Sequence, residues 1–323
     1  TKLNRNDDSK FYKEIRTLLG KGEHDYVSVD EEVTPDQLRL DMFSGKELND
    51  KRIVGYYGYD YLGNKLSNYV KFTDFFTGQG KQDFWSPAYN PLYGAVYIQD
   101  KFSFKDIIMR VGARIDYFDA NTKVLKDPYA LYEIENARDF YQKNTQYVRP
   151  ASIEDDYKVY VSDAESSKVI GFRKDDSWFL PNGTATDGSL IFKGGLVYPY
   201  FKERDVLLRN IQAKDYNPNI SFEDYKPQVN FMPRIAFSFP ISENAGFFAH
   251  YDVLVQRPGA GEVIMTPMDY YYFESSGSGT YNNPNLKPEK TIDYEVGFQQ
   301  KLSSNSALKI QTYYREQRDM IRI

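Results

Sequence analysis

Apolar and polar residues alternate with period two along three separate stretches of this chain, and side chains on a β-strand alternate between faces with that same period. The pattern is clearest over 282–321, "NNPNLKPEKTIDYEVGFQQKLSSNSALKIQTYYREQRDMI". From Thr291 one face reads Ile292, Tyr294, Val296, Phe298 and the other Asp293, Glu295, Gly297, Gln299. A turn at Ser303, Ser304 and Asn305 follows. The return then sets Leu308, Ile310, Thr312 and Tyr314 against Lys309, Gln311, Tyr313 and Arg315. The spacing predicts a β-hairpin with one apolar and one strongly polar face.

Two further hairpins share the design. "IIMRVGARIDYF" from Ile107 puts Ile107, Met109, Val111, Ala113, Ile115 and Tyr117 opposite Arg110, Gly112, Arg114 and Asp116. A less two-faced strand precedes it, from Leu92 to Phe102, with a very short connection at 103–106. In "MPRIAFSFPISENAGFFAHYDVLVQRP", Ile235, Phe237, Phe239 and Ile241 oppose Arg234, Ala236 and Ser238. Its return strand sets Phe247, Ala249, Tyr251, Val253 and Val255 against Phe248, His250, Asp252 and Gln256, after a turn at 242–246. Pro240 lies beside that turn, where its missing N–H matters least.

Between the hairpins run long polar connections, so the chain divides into 1–90 (loop), 91–118 (hairpin), 119–231 (loop), 232–257 (hairpin), 258–290 (loop) and 291–321 (hairpin). The first loop carries one predicted helix in "TPDQLRLDMFSGKELND", with Thr34 as N-cap and Pro35 at N1. "SSGSGT" at 275–280 is flexible by composition. Tight turns at one end and large loops at the other are how outer-membrane β-barrels are built, and a strand of about ten residues with an unbroken apolar face matches a tilted membrane crossing. The fold class expected is therefore all-β: part of an antiparallel transmembrane β-barrel with very long extracellular loops and minor helix. Arg110, Arg114, Arg234, His250, Asp252, Glu295 and Lys309 would face the lumen. Tyr117, Ile235, Val253, Tyr294, Ile310 and Tyr314 would face lipid, with the tyrosines near strand ends forming an interfacial girdle. A soluble β-sandwich with long insertions also yields hairpins, but it must explain charged residues on one face of each while no helix covers the other.

Composition narrows the partners. Formal charge is -5, from 41 Lys+Arg and 46 Asp+Glu, which gives no basic footprint for nucleic acid. Cysteine is absent, which excludes a disulfide framework, a thiol nucleophile and a Cys-ligated metal. Mean hydropathy is -0.64, and no apolar run approaches the roughly 18 residues of a membrane helix. Aromatic residues make up 16%, with 29 Tyr, which suits strands and membrane interfaces.

The last hairpin closely resembles the barrel region of TonB-dependent outer-membrane receptors. In that family "NPNLKPE", here Asn283–Glu289, commonly precedes a strand with a Tyr-Glu-hydrophobic-Gly pattern, here Tyr294, Glu295, Val296 and Gly297. The hairpins from Tyr93 and from Met232 are similar to others of the same barrels, and the loops are similar in style to receptors of the Bacteroidetes type. The resemblance implies a 22-stranded barrel in the outer membrane of a Gram-negative bacterium, an N-terminal plug and a TonB box. About six strands and no plug-like segment are visible, so the chain is expected to be an interior portion of such a receptor. The implied partners are TonB, acting through a plug outside this chain, outer-membrane lipid, a small nutrient ligand and a surface lipoprotein.

Catalytic chemistry is sparse. The two histidines are His24 and His250. His250 beside Asp252 reads as a polar strand face rather than a catalytic pair. "FTGQGKQDF" lacks the third Gly of a dinucleotide loop. The acidic pairs Asp7/Asp8, Glu31/Glu32 and Asp155/Asp156 lack EF-hand spacing. Asn182-Gly183-Thr184 fits a glycosylation sequon and reads as a turn. No catalytic residue, metal ligand or cofactor is expected. The ligand-contact candidates are loop aromatics expected to be exposed: Tyr270, Tyr271, Tyr272 and Phe273 in one loop, Trp178 and Phe179 in another. Uptake of a scarce nutrient is the leading reading. The alternative is an outer-membrane binding or structural protein whose loops dock a surface lipoprotein or other partner without transport.

Overall fold

The computed structural model describes residues 9–49, 55–193, 197–275 and 281–321. Asp7/Asp8 and 276–280 therefore lie outside the described residues. The strands, in chain order, are β1 (Leu92–Phe104), β2 (Ile107–Asp119), β3 (Lys123–Leu125), β4 (Lys158–Val161), β5 (Val169–Lys174), β6 (Ser177–Phe179), β7 (Ala185–Thr186), β8 (Tyr198–Pro199), β9 (Phe222–Asp224), β10 (Gln228–Ser242), β11 (Ala245–Gln256), β12 (Glu289–Ser303) and β13 (Ser306–Arg318). They fall into two compact units, one made of 1–124 and 224–323, the other of Leu125–Glu223.

The first unit contains a six-stranded antiparallel sheet in the order β1-β2-β10-β11-β12-β13. All three predicted hairpins are present; the middle one begins at Gln228 rather than 232, and the last runs from Glu289 to Arg318 rather than 291–321. Register keeps like faces together across the sheet. Ile235 stands opposite Val111 and Tyr251, and Tyr251 opposite Tyr294, which stands opposite Tyr314. Three tyrosines thus stand in one row across β11, β12 and β13, with ring centroids 5.0 and 6.1 Å apart. One level toward the tight turns, Ala249 faces Val296, and two levels on, Phe247 faces Phe298, which faces Ile310. A one-residue slip would send every one of these to the opposite face.

The segment before β1 has more structure than its weak alternation predicts. A helix over Lys10–Leu18 starts at Ser9, whose hydroxyl accepts from the Tyr12 N–H at 3.4 Å. It buries Ile15 against Val27, Val33 and Met42. The helix expected from Thr34 is corrected. Pro35–Gln37 and Leu40–Met42 are single 3-10 turns, and only Gly45–Asn49 is α-helical. The start signal itself is read: Gln37 Oε1 accepts from the Thr34 N–H at 2.9 Å. Leu38 then turns extended, and Met42 is buried in the Ile15 cluster while Leu38 and Leu40 stay exposed.

Within 119–231, read from sequence as a long polar loop, the second unit has a fold of its own. It holds a five-stranded sheet, β7-β6-β5-β4-β8, and a helix over Ala137–Lys143 that buries Ala137 and Phe140. The helix residues pack with Ile153, Val159, Val161 and Phe172. Asn182-Gly183-Thr184 is the turn expected of it, with Gly183 at φ 84° and Asn182 Oδ1 accepting from the Thr184 N–H at 3.0 Å. Where the chain leaves the first unit and returns, β3 pairs with β9 and Lys123 Nζ meets Asp224 Oδ1 at 2.9 Å.

Candidate functional site

The polar face of the six-stranded sheet is a lattice of charges set by register. Arg234 stands opposite Asp252, Asp252 opposite Asp293, and Asp293 opposite Arg315. Each arginine closes on the carboxylate it faces, Arg234 Nε to Asp252 at 2.8 Å and Arg315 to Asp293 at 2.7 Å. In the next row His250 faces Glu295, with Nε2 3.6 Å from its carboxylate and 3.9 Å from that of Asp252. Toward the sheet's other edge Arg114 Nε donates to Asp116 at 2.6 Å, and its guanidinium donates to the Tyr93 hydroxyl at 2.7 Å. Arg110, Arg114, Arg234, His250, Asp252, Glu295 and Lys309 therefore share one face, and Tyr117, Ile235, Val253, Tyr294, Ile310 and Tyr314 the other.

Gly297, the last residue of the Tyr-Glu-hydrophobic-Gly pattern, has a packing reason. It stands opposite Phe248, and a Cβ there would lie 2.1 Å from the Phe248 ring. The ring uses the space a side chain would fill, and Lys309 Nζ sits 4.8 Å from its centroid. The residues before this strand form a turn that anchors it: Asn283 Oδ1 accepts from the Asn285 N–H at 2.9 Å, and the Leu286 carbonyl accepts from Gln228 at the start of β10.

At the strand ends away from the tight turns, Arg257 follows β11 and reaches back across the polar face. Its guanidinium lies 4.6 Å from the Tyr93 ring centroid and 4.3 Å from that of Phe118. Tyr225 packs edge-on against Phe118, and its hydroxyl pKa is pushed up to about 12 by burial, with Tyr89 and Asp119 adding to the rise and Arg257 opposing it. Beside this cluster, within the first unit, opens a cavity of about 530 Å³. Its aromatic wall includes Tyr57, Tyr69, Phe72 and Tyr89, and its polar wall includes Asn68 and Lys71. Tyr57 is 56% exposed and Tyr69 90%, so these rings are presented rather than packed away.

The aromatics expected to be exposed are not the ones presented. Tyr270, Tyr271 and Tyr272 are buried, and that expectation is corrected. Tyr270 and Tyr271 sit on a short helix, Pro267–Tyr271, capped by Tyr272 and started by Thr266, whose hydroxyl accepts from the Asp269 N–H. Tyr270 packs edge-on against Phe72 and Tyr271 against Phe75 and Phe84, while Tyr272 lies tilted against Phe84. Phe273 is half-buried with its ring 4.5 Å from Tyr281. Trp178 is buried in the second unit between Tyr129, Tyr160 and Phe192, and Phe179 is half-buried against Tyr157. Phe72 belongs both to the buried cluster and to the cavity wall, so Tyr270 stands behind the site as its support. Sequence patterning passed over Tyr57 and Tyr69 because they sit among Gly, Asp and Asn with no periodicity around them.

Of the acidic pairs, Glu32, Asp155 and Asp156 are committed to basic partners. Lys21 bonds Glu32, Arg149 and Arg138 hold Asp155, and Lys174 bonds Asp156. Among the described residues, no three or more His, Asp or Glu side chains converge as a metal site.

A family model described as TonB dependent receptor-like, beta-barrel, matches residues 3–322. No curated protein matches the chain. A solved structure of a double mutant of the Serratia marcescens hemophore receptor HasR, in complex with its hemophore HasA and heme, aligns at 12% identity with a TM-score of 0.34. That alignment covers 72% of this chain and 26% of the other, so the chain spans about a quarter of that receptor's length.

Proposed function

Because the chain belongs to the TonB-dependent receptor β-barrel family, whose members are outer-membrane receptors and transporters, we propose that it supplies barrel wall and outward-facing loops to a receptor for a scarce nutrient, energised by TonB through a plug. The observation that carries this reading is the two-faced sheet. Most of its apolar face is uncovered, with Ile310 60% exposed, Val96 73% and Ile98 75%, while at the loop end Val253 and Ile292 are buried. A contiguous apolar surface of that extent needs lipid or protein against it. Its other face carries paired charges suited to a wet lumen. The segments 1–90, 119–231 and 258–290 are then the extracellular loops, and the row Tyr251, Tyr294, Tyr314 lies at an interfacial girdle.

Ligand capture falls to the rim cavity rather than to the buried tyrosines. Tyr57 and Tyr69 offer ring faces, and Asn68 and Lys71 offer hydrogen-bond donors. The cavity's size is that of a small-molecule site. The test is uptake in cells of the source bacterium, under limitation for each candidate nutrient in turn. A strain whose receptor carries Tyr57→Ala and Tyr69→Ala should lose growth on one nutrient while the receptor's surface abundance is unchanged. Growth equal to wild type on every nutrient on which the receptor-null strain fails would refute the assignment of this cavity. A null strain with no nutrient defect at all would refute the transport reading itself.

The docking alternative has one observation in its favour. Val206, Leu207 and Leu208 in the second unit are 60%, 83% and 70% exposed, an apolar run suited to a protein partner such as a surface lipoprotein. Co-purification of a lipoprotein that is lost when these three become Ser, with uptake intact, would separate docking from transport.

A further inference from the structure

The second unit holds a cavity of its own, about 250 Å³, whose lining includes Lys126, Asp127, Glu133, Lys158 and Ser221. It shares no residue with the rim cavity. Its charges do not balance. Asp127 is taken by Arg173, and Glu133 by Lys202 at 3.1 Å. The two lysines have no such partner. Lys126 Nζ donates to the Asn219 carbonyl at 2.6 Å and Lys158 Nζ to the Ile134 carbonyl at 3.1 Å, and among the described residues neither is in a salt bridge. An ammonium has three donors, so each keeps two to give. Counting the lining acids with their basic partners, the site carries two uncompensated positive charges.

The third feature is Ser221. It is 2% exposed, and its hydroxyl has no hydrogen-bond partner. Burying a hydroxyl unpaired costs about 1–3 kcal/mol, so such a group in a native structure calls for a missing partner. Its place is fixed by the backbone, since the Lys126 N–H donates to the Ser221 carbonyl at 2.9 Å, which sets the two residues on neighbouring segments of the cavity wall.

We propose that this cavity binds a phosphate group. Two ammoniums and a hydroxyl on separate chain segments suit a tetrahedral oxyanion with acceptors in several directions. A planar carboxylate is better matched by the flat fork of arginine, whereas lysine binds phosphate as a point charge. Arg173, which bonds the lining Asp127, is also committed to the Tyr160 hydroxyl and the Asp175 carbonyl.

The test is calorimetric titration of the whole receptor in detergent with inorganic phosphate and, separately, with glucose 6-phosphate. Saturable binding of inorganic phosphate identifies the free anion as sufficient. Binding of the phosphomonoester alone assigns the site to a phosphate carried on a larger molecule. Lys126→Met and Lys158→Met, which keep the aliphatic stems, should each weaken binding about tenfold, the scale of a hydrogen bond between charged groups. Ser221→Ala should weaken it severalfold yet leave the phosphate-free protein as heat-stable as wild type or more so, because it removes the orphan hydroxyl. Failure of both phosphates to bind at millimolar concentration, or unaltered binding in Ser221→Ala and in the lysine variants that fold, would overturn the proposal.

Discussion

At the scale of single residues, two positions make sharp demands. Gly297→Val places a branched side chain where the Phe248 ring already lies, and overpacking of this kind costs about 1–3 kcal/mol. The loss should appear as a lower temperature at which the barrel loses its compact, fast-migrating form on a gel. Adding Phe248→Ala should restore most of it; no restoration would mean that the contact is not the cause. The second position is Tyr160. Burial raises its hydroxyl from the ordinary 10 to about 12, against the pull of Arg173, which donates to it at 2.8 Å. The folded form therefore holds this proton more tightly than the unfolded chain. The resulting stability is complete below pH 10 and is lost as pH climbs toward 12. Tyr160→Phe should flatten that loss between pH 10 and 12 when unfolding of the second unit is followed by tryptophan fluorescence, with Trp178 as reporter. It should also cost stability near neutral pH by leaving an Arg173 N–H unpaired.

At the scale of elements, alternation along one strand decides orientation all at once. Nitroxide labels placed singly at Lys309, Ile310, Gln311 and Thr312 of β13 should alternate, with 310 and 312 more accessible to dissolved oxygen in the bilayer and 309 and 311 to a polar relaxer. A uniform profile would remove the assignment of apolar face to lipid. This element was legible in sequence because its faces differ in charge, a contrast that needs no tertiary information. The small sheet was not legible because its contrast is absent. Val159, Tyr160 and Val161 are buried in succession, as are Gly171, Phe172 and Arg173, so period two vanishes from strands covered on both sides. The Lys10–Leu18 helix was passed over despite Ser9 at its start, since its burial rests on Val27, Val33 and Met42 further along the chain. The tyrosine triplet 270–272 was misjudged for a related reason. Its partners Phe72, Phe75 and Phe84 lie nearly two hundred residues earlier, and nothing local marks the two segments as one cluster.

At the scale of the molecule, the large sheet is open. β1 and β13 are its outer strands, so each presents a ladder of N–H and C=O groups to whatever lies beyond. In hydrocarbon each unsatisfied group costs several kcal/mol. Residues 1–323 expressed alone in detergent should therefore fail to give a monodisperse, heat-resistant barrel from a single copy. Such a barrel, if observed, would mean that these six strands close on themselves and that the two edges find each other.

The pairing of β3 with β9 has a consequence for how such receptors diversify. Residues 125–223 leave and re-enter the first unit through one short two-stranded stem, tied by Lys123 and Asp224. The ends are already together, so the entropy of closing whatever is carried between them grows only slowly with its length, by about 0.6 kcal/mol per doubling. The stem is thus a grafting point: a cassette of different length or fold can be exchanged there while the barrel wall keeps its register, and new surface specificities can be tried without redesigning the membrane span.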